Sequence, residues 1–177
     1  GYRFNKNNTL KFYSEVFESE RHFSLIRPSE NRTKYEDVSV KNLLEWGVSG
    51  RKISSIVRLA YLNEEYKYYP NIKTDSFTFG EANTVIGKYD FTYDFSEKIK
   101  LNTILSHEYT DGKGSSIPQN ERNISSAALL LKHLVNEKWS YELATRKEIT
   151  NDYESPLLFS VGTGYSFTDF YRLKLNI

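Results

Sequence analysis

Ser106, His107 and Glu108 stand side by side. Together they are the residue types of a nucleophile, a base and an orienting carboxylate. In an extended strand, successive side chains point to opposite sides, so three consecutive positions cannot assemble into a triad. The remaining histidines, His22 and His133, form no HExxH motif and no metal-spaced pair. "SVGTG" at 160–164 is not a G-x-S-x-G nucleophile elbow. "DGKGSS" at 111–116 has the composition of a phosphate cradle without the G-x-x-x-x-G-K-[ST] spacing, and reads as a loop. Asp90 and Asp94 are ~13 Å apart along a strand, too far to act as one carboxylate pair. There is no cysteine, hence no thiolate site and no disulfide. The chain is read as non-enzymatic, with no catalytic residue, no metal site and no cofactor.

Two stretches have the character of binding surfaces. In "EEYKYYP", Tyr66, Tyr68 and Tyr69 crowd the mouth of a loop. Tyrosines there offer a large contact area to a ligand at small entropic cost. They equally suit an aromatic belt at a membrane boundary, and both readings stay open. "RPSENRTKY" brings Arg27, Arg32 and Lys34 into another loop, facing an anionic ligand, lipid phosphates or only water. The formal net charge is +1, so nothing points to nucleic acid as a partner.

The elements that must position these residues are strands. In "YDFTYDF", Tyr89, Phe91, Tyr93 and Phe95 face one way and Asp90, Thr92 and Asp94 the other. The same period of two runs through most of the chain, broken by turn signals, and predicts about nine strands. Long connections are expected near Ser24–Glu36, Pro70–Ser76, Thr110–Glu121 and Thr150–Pro156. Short ones are expected near Ser49–Arg51, Ser96–Glu97, Asn136–Lys138 and Thr168–Asp169. Strict alternation of long and short puts all tight turns at one end of an antiparallel up-and-down meander. This asymmetry belongs to transmembrane β-barrels. The fold expected is all-β, residues 1–177 forming part of such a barrel.

Aromatic residues support the same reading. Trp46, Tyr93, Phe95, Trp139, Tyr141, Tyr165, Phe167 and Tyr171 flank the short turns and would form a girdle at the membrane–water boundary. Their strand propensity accounts for their number but not for this placement. Arg58, Lys88, Asp90, Glu142, Arg146 and Arg172 would line the opposite, wet face. Residues 125–149 have a helix-like composition and are read as two strands around "NEK", with a helix as the alternative. Hydrophobic content is only 38%, and an alternating barrel looks like that on average. A soluble all-β binding or structural domain gives the same alternation if a second layer covers its aromatic face.

"SPLLFSVGTGYSFTDFYRLKLNI" at 155–177, with "VRLAYLNEEYKYYP" and "TVIGKYDFTYDFSEKIKLNTILSHEYTDG", resembles the barrel of a TonB-dependent outer-membrane receptor. The likeness is to the Bacteroidetes type, cobalamin- or siderophore-receptor-like, and lies in the style of strands and turns over most of the chain. It implies location in a bacterial outer membrane and active uptake of a scarce small-molecule nutrient. It also implies as partners the lipid bilayer, the protein's own plug domain, the TonB complex acting through that plug, and a surface lipoprotein. The plug, the TonB box and the Arg-x-Pro segment that follows "LK-x-N" in the family are not in these residues. About nine strands is also an odd number, and bacterial barrels have even ones. The chain, opening on "GYRFNKNNT", is therefore expected to be the middle of a larger barrel.

Overall fold

Ten antiparallel strands follow one another in chain order in a single sheet. The computed structural model describes residues 1–23 and 32–177. The strands are β1 (Tyr2–Asn5), β2 (Asn8–His22), β3 (Lys34–Ser49), β4 (Ile53–Tyr69), β5 (Thr78–Asp94), β6 (Ile99–Gly114), β7 (Ile117–Leu134), β8 (Trp139–Thr150), β9 (Leu158–Ser166) and β10 (Arg172–Asn176). Each pairs only with its sequence neighbours, and β1 and β10 are not paired with each other. Period-two alternation fixes the register, because a one-residue slip would exchange the faces of a whole strand.

Three of the short turns are built alike. At Phe95–Ile99, Val135–Trp139 and Phe167–Tyr171, the first residue's N–H donates to the last residue's carbonyl, at 3.0, 2.9 and 2.9 Å. The second residue is Ser96, Asn136 or Thr168, and its side-chain oxygen accepts from the N–H groups two and three positions on. Such side chains stand in for a missing ladder partner, which is why Ser, Asn and Thr occupy these positions. "FSEKI", "VNEKW" and "FTDFY" are thus three copies of one turn.

The structure corrects the sequence reading at three places. First, there are ten strands, not nine. Tyr2–Asn5 pairs with the start of β2 through a tight turn at Lys6–Asn7, where Asn5 Oδ1 accepts from Asn7 N at 2.8 Å. Four residues were too few to show periodicity, and the objection from an odd strand number lapses. Second, Thr110–Glu121 is not a long loop. Both strands of the β6–β7 hairpin run on through it to a turn at Ser115–Ser116. Glycines and polar residues looked like a loop, yet the ladder continues and Ser115 N donates to Phe79 O at 2.9 Å. Third, β3 begins at Lys34, inside the connection expected near Ser24–Glu36. Residues 125–149 form strands, in β7 and β8. Arg27 lies outside the described residues.

The sheet has one layer and no core. Among the described residues no hydrophobic side chain is buried. The solvent-accessible area is 13339 Å², whereas a compact protein of 20.7 kDa has ~8,900 Å². The excess includes many large exposed apolar side chains, surface of a kind that water does not stabilise.

Candidate functional site

Strand pairing assigns every side chain to a face. One face carries the rings of Tyr89, Phe91 and Tyr93 together with Trp46, Trp139, Tyr141 and Tyr165. Phe95 and Phe167, just past their strands, pack edge-on against Tyr93 and Tyr165 at 4.7 and 5.0 Å, and Tyr171 stands beside the same turn as Phe167. The aromatic residues singled out from the sequence thus lie at the short-turn end, on one side wherever a strand defines the side.

On this aromatic face a band without Asp, Glu, Lys or Arg crosses the sheet. It covers Val38–Val48 on β3, Ile53–Tyr61 on β4, Val85–Tyr93 on β5, Ile99–Tyr109 on β6 and Ser125–His133 on β7. Each stretch is the ~9–11 residues that a tilted strand needs to cross a bilayer's hydrocarbon. Charges resume beyond it, as Glu36, Glu65, Glu81, Asp111 and Glu121 on the same face. Several of its polar groups pair with one another. Ser14 Oγ donates to Asn42 Oδ1 at 2.8 Å, His107 Nδ1 lies 2.8 Å from Ser125 Oγ, His133 Nδ1 lies 2.9 Å from Tyr141 Oη, and Trp139 Nε1 donates to Thr163 Oγ1 at 2.9 Å. Paired polar groups are the ones an apolar medium tolerates.

The band also runs obliquely. Its edge at the short turns shifts from Asn8 and Val48 through Ile53, Ile99 and His133 to Trp139 and Tyr165, about one residue per strand. The hydrogen-bonded row that begins at Leu10, near that edge on β2, ends at Lys147, past the opposite edge on β8. A shift of one ~3.3 Å rise per ~4.8 Å strand spacing is a strand tilt of roughly 35°.

At the same height the other face, the polar one, carries charges among aliphatic residues such as Ile56, Ile86 and Ile104. It carries Arg58, Lys88, Asp90, Glu142, Arg146 and Arg172, the residues expected to meet water. Glu45 accepts from Lys11 Nζ at 3.0 Å and from Arg58 Nε at 2.7 Å. Asn102 Nδ2 donates to Asp90 at 2.7 Å, and Lys132 pairs with Glu142 at 2.7 Å. Arg172 lies across Gly164 to donate to Ser140 Oγ at 2.8 Å. A Cβ on Gly164 would come within 3.0 Å of that guanidinium, so the glycines of "VGTG" give long side chains room to lie flat. Ser106 also faces this side, bonded to Ser126 Oγ at 2.7 Å, while His107 is on the aromatic face. Among the described residues no three His, Asp or Glu side chains gather as a metal site.

Beyond the band the polar face holds a groove of about 1030 Å³. It is floored by Gly80, Ala82, Gly112 and Gly114 and walled by Phe17, Tyr66 and charged residues. The three loop-mouth tyrosines do not act together. Tyr66 and Tyr68 lie on the polar face with Tyr35, whose ring centroid is 6.2 and 4.7 Å from theirs. Tyr69 is on the aromatic face, where its hydroxyl donates to Glu36 at 3.0 Å and Lys34 Nζ sits 4.6 Å above its ring. The Lys34 ammonium, and then that hydroxyl, hold the Glu36 carboxyl below the usual carboxylate range. Adjacent tyrosines in a strand must part in this way. The groove walls Glu15, Phe17, Arg21, Asp37, Lys41 and Glu64 were not foreseen; small residues at alternate positions, Gly80 with Ala82 and Gly112 with Gly114, were the available signal.

No known family model matches the chain, and no curated protein does. A similar solved structure is the crystal structure of the Pseudomonas putida toluene transporter TodX, 9% identical with a TM-score of 0.42. The likeness covers 96% of this chain and 63% of that one, so the chain spans less than two thirds of that transporter's length.

Proposed function

We propose that this chain is wall of a β-barrel in a bacterial outer membrane, and that the barrel takes up a small-molecule nutrient. Lipid covers the aromatic face and water wets the polar one. The observation that carries the reading is the oblique charge-free band, of membrane height and edged by tryptophan and tyrosine at the short turns. A soluble sheet needs an apolar face as well. It has no need for that face to end in charges at one constant distance from a ring of aromatics. The function is physical rather than covalent: a polar interior for a solute, with recognition beyond the band. TonB-dependent uptake is the finer reading and rests on the resemblance of the strand-and-turn segments at 57–70, 84–112 and 155–177. Uptake would then stop when the proton gradient is collapsed.

The chain has two tryptophans, which makes a direct test possible. In vesicles of brominated lipid, Trp46 and Trp139 should both be quenched, more by bromine high on the acyl chain than by bromine near its end. Fluorescence indifferent to lipid bromine, in a protein that stays monomeric in buffer without detergent, sinks the proposal.

A further inference from the structure

We draw no further inference here: the strongest candidate, the carboxylate pairs that face each other across strands at the loop end of the aromatic face, Glu20 with Glu36, Glu65 with Glu81 and Asp111 with Glu121, is a cluster of acidic side chains partly neutralised by Lys34, Lys67 and Lys113, and nothing else in the structure marks a ligand there.

Discussion

Leu105 and Ser106 are neighbours in the chain and stand on opposite faces of the sheet. Leu105 points out of the aromatic face near mid-band; Ser106 points the other way and bonds Ser126. In lipid, an arginine at the Leu105 position has to be dragged into hydrocarbon. Leu105→Arg should therefore cost ~2–4 kcal/mol of stability, measured by denaturant titration in vesicles, whereas Ile99→Arg at the band's edge should cost ~0–1 kcal/mol. Ser106→Arg, on the polar face, should cost about as little if that face is the wet one. A covered soluble core would penalise Leu105 and Ile99 alike, so the fall with depth is the decisive part. The residues legible from sequence were those whose type and phase agree, such as Trp46 and Trp139 on one side and Arg58 and Arg146 on the other. Tyr66, Tyr68 and Tyr69 were misjudged as a group because three similar residues outweighed the alternation that separates them.

At the scale of the strand, phase matters more than composition. Inserting one residue between Thr103 and Ile104 would carry Lys100 and Asn102, or everything beyond Ile104, to the wrong face. Such a variant should lose the protease-resistant folded form in detergent. The same insertion between Lys73 and Thr74, in the β4–β5 connection, should keep it. Most strands were legible from alternation, and the three like turns from their Ser, Asn or Thr. Two errors came from local composition. "TDGKGSSIPQNE" looked like a loop because glycine and serine usually leave a strand, but here β5 holds the β6 half of it and that half holds the start of β7 in the ladder. Tyr2–Asn5 was missed because a four-residue strand takes its shape from its partner and offers no period of its own.

At the scale of the whole sheet, both margins are open. β1 covers β2 only from Asn8 to Leu10, which leaves the backbone from Lys11 to His22 unpaired on that side. In hydrocarbon such groups require partners, and in water they recruit them. The 177-residue chain on its own, refolded in detergent, should run by light scattering as edge-paired oligomers rather than as a monomer. A monomer would show the margins to be closed. Sequence alone could not reveal the margins, because pairing is a property of two strands at once. Strict neighbour-to-neighbour pairing has one more consequence, for how the sheet comes into being. Each strand pairs with the one made just before it, so no pairing has to wait for a distant part of the chain. Assembly can then proceed like a zipper, one hairpin docking on the last. An interrupted chain would still present a correctly registered sheet, finished as far as it had been made.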